Sequence, residues 1–94
     1  MLFIVHCLDH KDARARRREH YEAHRAHVSS APLKRIAVIM NGPLVHENND
    51  SAGSLFLMEA PDIDTVKAFV ADDPFSTNDV FETVNIHSYL RRAP

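Results

Sequence analysis

The residues of this chain best suited to chemistry are a histidine on a predicted helix and an aspartate about fifty positions later. His24 lies nearest the centre of the inward arc of that helix, and Asp73 stands directly before Pro74. Because proline disfavours a helical conformation in the residue before it, Asp73 is predicted to be extended, just beyond a second helix that ends near Asp72. A carboxylate paired with an imidazole is the smallest arrangement that moves a proton near neutral pH. His24 and Asp73 are therefore the candidate catalytic pair.

The inward side of the first predicted helix carries polar groups where leucines are expected. At about 100° per residue, one direction of the helix collects six side chains. These are Ala13, Arg17, His20, His24, Val28 and Ala31. The opposite, solvent side collects Arg14, Arg18, Glu22 and Arg25. Since burying an unpartnered polar group costs about 1 to 3 kcal/mol, the inward groups need partners or a wet cavity, and the underside of this helix is a candidate site.

Three interpretations of the histidines stay open on spacing alone. In the first, His20 and His27 are structural or solvent-facing residues. In the second, His20 and His24 bind a metal ion, because an i, i+4 spacing suits two imidazoles on one ion. The HExxH pattern is absent, however, and no Cys or Asp stands at a supporting spacing, which weakens this interpretation, and no residue is assigned as a metal ligand. The third interpretation pairs His24 with Asp73 for acid-base chemistry.

Apolar runs between breakers predict the elements that position these residues. Strands are predicted over residues 2–8, 36–40, 54–58 and 82–90. Helices are predicted over residues 12–30 and from Pro61-Asp62 to about Asp72, where apolar residues recur at helical spacing. His6 and His87, on the first and last strands, are expected to be structural or exposed.

Capping and turn residues predict the ends of these elements. Asp9 or Asp12 is predicted to cap the first helix, and Ser76 to cap a single turn before the last strand. Asn41-Gly42-Pro43 is predicted to stop the second strand, with a long polar connection to the third.

The order βαββαβ predicts a ferredoxin-like α+β fold, a four-stranded antiparallel sheet with both helices on one face. The second strand is apolar on both faces, since Ile36, Val38 and Met40 alternate with Ala37 and Ile39. The helices cover one face only, and a bare apolar sheet would exceed the patch that monomers usually expose. The pattern therefore predicts a homodimer in which the open faces of two sheets pack together.

Composition sets the remaining bounds. Ninety-four residues with 45% hydrophobic content predict a single domain over residues 1–94. A net charge of -2, with acids and bases mixed along the chain, offers no sustained basic surface for nucleic acid. The opening apolar run is too short for a membrane span and lacks the features of a signal peptide. The single cysteine, Cys7, is expected to pack as a small hydrophobe, which fits a reducing compartment, and a cytoplasmic location is predicted.

The order and spacing of several short motifs resemble the YciI-like (YCII-related) proteins. The motifs are the Met-Leu-Phe-Ile-Val start, Ala23-His24-Arg25-Ala26, Asn41-Gly42-Pro43-Leu44, Gly53-Ser54-Leu55, Glu59-Ala60-Pro61 and Asp72-Asp73-Pro74-Phe75. The resemblance implies a dimeric α+β barrel of ferredoxin-like protomers, with an active site that pairs His24 and Asp73. It also implies that Gly42, Pro43 and Ser54 line the cleft, and Phe75 is counted with them as substrate-binding. One departure is the segment from Ser30 to Arg35, which lacks the glycine that commonly joins helix to strand in this family.

These residues predict a cofactor-free enzyme that acts on small acids, including cyclic or aromatic acids. Asp73 would accept a hydrogen bond from one ring nitrogen of His24, leaving the other nitrogen to take a proton from the substrate. Arg17, about two turns earlier on the same face, would bind a carboxylate or enolate oxygen. Elimination or isomerisation suits such a site, and the resemblance supports lyase or isomerase chemistry. The alternatives are a non-catalytic metabolite-binding module and a cofactor-free oxygenase.

Overall fold

Four strands and four helical segments make up the fold, and the computed structural model of the chain describes residues 1–94. The strands are β1 Leu2–Asp9, β2 Ala37–Val45, β3 Ser51–Glu59 and β4 Phe81–Tyr89. The helices are α1 Arg14–Glu19, α2 Tyr21–Ser29, α3 Ile63–Ala71 and the single turn α4 Pro74–Thr77, and a short 3₁₀ turn occupies Ala31–Lys34. None of the helices has the length and apolar character that crossing a membrane requires.

The strands form one antiparallel sheet in the order β2-β3-β1-β4. This order is that of two interleaved βαβ units, so the predicted ferredoxin-like α+β fold is confirmed. Along β1, Phe3, Val5 and Cys7 are fully buried, whereas the residues between them are only partly buried. The buried set packs with Val66 and Phe69 of α3 in one core, which lies between the helices and one face of the sheet.

The first helical region is broken, so the prediction of one helix over residues 12–30 is wrong. His20 lies between α1 and α2 with φ -99° and ψ 9°, outside helical geometry. The two segments are anchored to different partners: Arg16 donates to the carbonyl oxygen of Asp79, whereas His24 binds Asp73. No glycine or proline marks the break, which explains why the sequence pattern missed it.

Neither acid predicted to cap the first helix does so. The residue before α1 is Ala13, and no side chain accepts a hydrogen bond from the first turn. Asp12 instead contacts Arg16 at 3.2 Å, and Asp9 binds Arg17. Asp9 does not cap the helix because its carboxylate forms an ion pair with Arg17 of α1.

The second strand runs through the residues predicted to stop it. Asn41, Gly42 and Pro43 pair with Phe56, Leu55 and Ser54 of β3. Proline is tolerated here because β2 is an edge strand, where one side of the strand has no ladder to complete. The connection to β3 is also shorter than predicted, a tight loop closed by the bond from the His46 amide to the Asp50 carbonyl at 2.8 Å.

The segment around Asp73 forms as predicted, with one change of cap. Asp62 caps α3 by accepting from the Thr65 amide, and Asp73 is extended with φ -61° and ψ 131°. Asp73 itself, and not Ser76, caps the single turn α4, since its side chain accepts from the Phe75 amide. Ser76 donates to the Val70 carbonyl instead.

Two backbone positions shape the strands that line the site. Arg35, with φ 63°, takes the left-handed conformation that favours glycine. The segment from Ser30 to Arg35 contains no glycine, so a strained arginine occupies this position. Gly53 lies so close to β1 that an added Cβ would clash with the Cys7 carbonyl oxygen. Only glycine therefore allows β1 and β3 to approach at this point.

Candidate active site

His24 and Asp73 meet across the fold although 49 residues separate them. The Nδ1 atom of His24 lies 2.8 Å from Oδ1 and 2.9 Å from Oδ2 of Asp73. Oδ1 also accepts from the Phe75 amide at 2.9 Å, which fixes the carboxylate in place. The two side chains are among the few buried polar groups of the protein, with 8% of His24 and 3% of Asp73 exposed. Because an ionised carboxylate only accepts, the proton of a neutral His24 is on Nδ1.

The other ring nitrogen of His24 is open to a ligand. Nε2 makes no hydrogen bond within the protein. Every fully buried side-chain nitrogen or oxygen does have a hydrogen-bond partner, so Nε2 is not one of the fully buried atoms. The Nε2 atom is therefore accessible to solvent, and His24 lines a cavity between the helices and the sheet. With Nδ1 protonated, Nε2 presents a lone pair to that cavity.

Phe75 forms the floor beneath the pair. Its ring stacks on the His24 ring with centroids 4.0 Å apart and an angle of 7° between the planes. Phe81 packs edge-on against the Phe75 ring, and the Arg17 guanidinium carbon lies 4.7 Å from the centroid of the Phe75 ring. One fully buried ring thus positions both the imidazole and the guanidinium. Phe75, counted as substrate-binding from the sequence, is not among the residues that line the cavity.

Arg17 faces the cavity but is already engaged by two partners. Its Nη1 atom lies 3.0 Å from both carboxylate oxygens of Asp9, and its Nη2 atom donates to Ser54 Oγ at 2.8 Å. Burial raises the pKa of Asp9, and the guanidinium of Arg17 opposes that rise. Arg17 therefore reaches the cavity with its charge balanced.

The cavity has a volume of about 640 Å³ and lies between the first two helices, β2, β3 and their connecting loop. Five of the residues selected from the sequence border it: Arg17, His24, Gly42, Pro43 and Ser54. Its remaining lining residues include Arg14, Arg18, Tyr21, Arg25, Asn41, Asn49, Asp50 and Phe56.

Three arginines that the helix pattern placed toward solvent thus lie at the cavity mouth. Arg14 is 3.5 Å from Asp50, and Arg25 is 3.7 Å from Glu22. Arg18 has no acidic partner within ion-pair distance. The mouth therefore keeps one uncompensated positive charge, which an anion can meet.

The other histidines considered from the sequence lie outside this cavity. The side chain of His20, at the helix break, lies 3.9 Å from Glu19 and does not line the cavity. His27 stacks on Phe69 and bonds its carbonyl oxygen at 2.7 Å. His6 and His87 lie on the sheet face away from the helices, paired with Leu55 and Ile4 of neighbouring strands. No group of three or more His, Cys, Asp or Glu side chains is gathered as metal ligands would be.

Cys7 lies near the ion pair of Arg17 without taking part in it. Burial, helped by the nearby carboxylates of Asp73 and Asp9, raises the pKa of the Cys7 thiol to about 12. The thiol is fully buried and stays protonated, so Cys7 acts as a small core residue.

Comparison with known proteins identifies the family. The model of the YCII-related domain matches residues 1–89 of the 94-residue chain. The chain belongs to the YCII-related family. A search among curated protein sequences gave no significant match to the chain.

A solved structure similar to this YCII-related protein is that of an enzyme acting on a small molecule. It is the 5-chloro-2-hydroxyhydroquinone dehydrochlorinase TftG from Burkholderia phenoliruptrix, solved in complex with 2,5-dihydroxybenzoquinone. The two proteins share 27% sequence identity with a TM-score of 0.85, over 98% of this chain and 96% of that chain. The similarity supports an enzymatic role for the YCII-related domain described here.

Proposed function

We propose that this protein is a cofactor-free enzyme that uses His24 as a general base and Asp73 as its orienting partner. The observation that carries the proposal is the 2.8 Å contact of Nδ1 with Asp73, which leaves Nε2 unbonded toward a 640 Å³ cavity. A base must lie within reach of the proton that it removes, and Nε2 is the only side of the pair that a substrate can approach.

The reaction class follows from what one base can do alone. Nε2 takes a proton from a carbon next to a carbonyl group, and the electron pair of the broken C–H bond forms a C=C bond while the carbonyl oxygen becomes negative. In an elimination, the carbonyl group then re-forms, the same electron pair makes a double bond to the neighbouring carbon, and the leaving group departs from that carbon with its bonding electrons. In an isomerisation, the proton returns to another carbon. Asp73 holds Nδ1–H throughout and stabilises the imidazolium that forms. Elimination or isomerisation therefore needs no further reactant.

The charges around the cavity favour an acidic substrate. Four arginines line it against one acid, Asp50, and Arg18 has no acidic partner. Arg17 was the predicted anchor for a substrate carboxylate, but Asp9 balances its charge, so Arg18 takes that role in the proposal. TftG, whose name states removal of hydrogen chloride and whose ligand is a small hydroxylated ring, supports an elimination on a cyclic or aromatic acid.

The proposed enzyme is a homodimer built through the open face of the sheet. That face carries partly exposed apolar residues from three strands, including Leu8 at 42%, Met40 at 53% and Tyr89 at 40% exposed. Burying it against a second copy would remove an apolar patch that a monomer would leave in water. Sedimentation at micromolar concentration is expected to show a dimer, and a monomer alone would contradict this assembly. A cytoplasmic location is part of this proposal, and the single, buried Cys7 agrees with it.

The test is to incubate the protein with a panel of small carboxylic acids and phenols in deuterated buffer and to monitor their conversion by NMR. The panel includes 5-chloro-2-hydroxyhydroquinone, the compound in the name of TftG. The wild type is expected to convert at least one compound, or to exchange one of its C–H protons. His24→Asn, whose amide can still donate to Asp73, is expected to lose that activity by a factor of about 10² to 10⁴.

The matched control is His20→Asn, which changes the same residue type outside the cavity and should leave conversion unchanged. Conversion that survives in His24→Asn would contradict the enzyme proposal. Retained ligand binding without conversion by any variant would favour the non-catalytic binding module.

A further inference from the structure

The end of α3 next to Asp73 departs from helical hydrogen bonding. In a continuing helix, the carbonyl oxygens of Phe69 and Val70 would accept from the amides of the residues four positions later. One of those residues is Pro74, which has no N–H, and the amide of the other, Asp73, binds the Val70 carbonyl instead at 3.1 Å. The Phe69 carbonyl therefore accepts no backbone hydrogen bond.

Two side chains bind these carbonyl oxygens. His27 Nε2 lies 2.7 Å from the Phe69 oxygen, and Ser76 Oγ donates to the Val70 oxygen at 2.7 Å. Because a carbonyl only accepts, Nε2 of His27 carries a proton. The His27 ring also stacks on the Phe69 ring, with centroids 4.2 Å apart and 20° between the planes. The hydrogen bond and the stacking together hold α2 against the end of α3.

His24 and His27 bind the same segment from one helix. They stand three residues apart on α2, so their side chains leave the helix on the same side. His24 contacts the carboxylate of Asp73 at 2.8 Å, and His27 binds the carbonyl of Phe69, four residues before that acid. Ser76, three residues after Asp73, ties the turn α4 back to α3. Asp73 is thus held from both sides at the point where the chain leaves the helix.

We propose that His27 and Ser76 are positioning residues for the general base, because they hold the end of α3 where Asp73 contacts Nδ1 of His24. The inference rests on the function proposed above. Neither residue lines the cavity that His24 borders, so both act through Asp73 and not on the substrate. A displacement of about 1 Å, caused by a change far from the reacting atoms, can cost about a factor of 100 in rate. Two hydrogen bonds outside the cavity can therefore control the base.

The test measures by NMR how fast the Nδ1 proton of His24 exchanges with solvent, which needs no substrate. His27→Phe keeps a ring against Phe69 but removes the donor, and this exchange is expected to become about tenfold faster. His27→Gln keeps an N–H donor and should stay within about threefold of the wild type. The matched control is His20→Phe, the same change at a histidine without a contact to α3, which should leave the exchange rate unchanged.

The backbone amide of Val5 separates positioning from general stability. Val5 is fully buried in the inner strand β1, so its amide exchanges only when the fold opens widely. A merely structural His27 would speed the exchange of Val5 and of the His24 ring proton by the same factor. Faster exchange of the ring proton alone is the expected result, and equal factors would overturn the positioning role.

Ser76→Ala tests the second hydrogen bond and replaces His27→Phe should that variant fail to fold. It leaves the Val70 carbonyl with its backbone donor only, and the His24 ring proton is expected to exchange about threefold to tenfold faster. Ser76→Thr keeps the hydroxyl and should restore the wild-type rate. An unchanged rate in folded Ser76→Ala or His27→Phe would overturn the role of the residue that was changed.

Conversion assays separate this inference from the enzyme proposal. For any compound that the wild type converts, His27→Phe should lower kcat about tenfold and leave KM within about twofold, since no residue lining the cavity changes. An unchanged kcat would overturn the role of His27 in the reaction. If no compound is converted while the ring proton responds as expected, the enzyme proposal is refuted and the positioning of Asp73 by His27 stands.

Discussion

Changing Asp73 to asparagine should reverse the tautomer of His24 while leaving the fold in place. In Asp73→Asn the amide oxygen can still accept from the Phe75 amide, as Oδ1 does now at 2.9 Å, and so keep the cap of α4. The amide nitrogen then takes the position of Oδ2, which lies 2.9 Å from Nδ1 of His24, and donates to that ring nitrogen. A neutral ring whose Nδ1 accepts must carry its proton on Nε2, so the base toward the cavity becomes a donor.

The two effects of Asp73→Asn differ in size. Replacing a charge-assisted hydrogen bond by a neutral one should lower the free energy of unfolding by about 1 kcal/mol. Losing a positioned general base costs a factor of about 10² to 10⁴, which is about 3 to 5 kcal/mol in activation free energy. Activity should therefore fall far more than stability.

The assay is a long-range proton–nitrogen NMR spectrum of the histidine side chains, which distinguishes the tautomers without a substrate. The neutral ring of His24 should carry its proton on Nδ1 in the wild type and on Nε2 in Asp73→Asn. Asp72→Asn, the same change at the neighbouring exposed acid, is the control and should match the wild type. An unchanged tautomer in a folded Asp73→Asn protein would show that Asp73 does not set the protonation of the ring.

Three further predictions test the surroundings of the site. Gly53→Ala should lower the free energy of unfolding by about 3 kcal/mol or more in urea titrations, because its Cβ would clash with the backbone of Cys7, whereas Gly42→Ala has nothing within 4 Å and should change it by less than about 0.5 kcal/mol. The folded pKa of Cys7, about 12 against an ordinary 9.0, means that the unfolded thiol ionises first; stability should fall by up to about 1.4 kcal/mol per pH unit above pH 9, and Cys7→Ala should lack that component. Arg18→Gln should weaken binding of 2,5-dihydroxybenzoquinone about threefold to fivefold and reduce the salt dependence of that binding. The control is Arg92→Gln at the exposed C-terminal end, and equal effects of the two substitutions would contradict an anchoring role for Arg18.

Sequence reasoning selected His24 and Asp73, which are in contact in the structure, because the signals for both residues are local. Pro74 determines the conformation of Asp73, and helical geometry alone places His24 on the inward arc. The strands and the second helix were predictable for the same reason, since apolar runs and the Asp62 cap act within a few residues. The βαββαβ order then brings the elements that carry His24 and Asp73 to the same side of the sheet.

The features that were missed depend on contacts between distant elements. The partner of Arg17 is Asp9 at the end of β1, and the need of an inward arginine for a buried acid was the one signal for it. The Gly42-Pro43 segment stays in a strand because β2 is an edge, which only the sheet order reveals. Arg18 borders the cavity because the loop after β2 approaches the helix, a proximity that a helical projection does not contain.

The proposed chemistry requires that a small acid meet Nε2 of His24 in the cavity beneath the helices. A crystal structure of the protein saturated with 2,5-dihydroxybenzoquinone would show this contact. We expect the ligand in this cavity, with one of its atoms within hydrogen-bond reach of His24 Nε2. A ligand bound elsewhere, or held in the cavity with no atom near Nε2, would mean that His24 is not the base of this site.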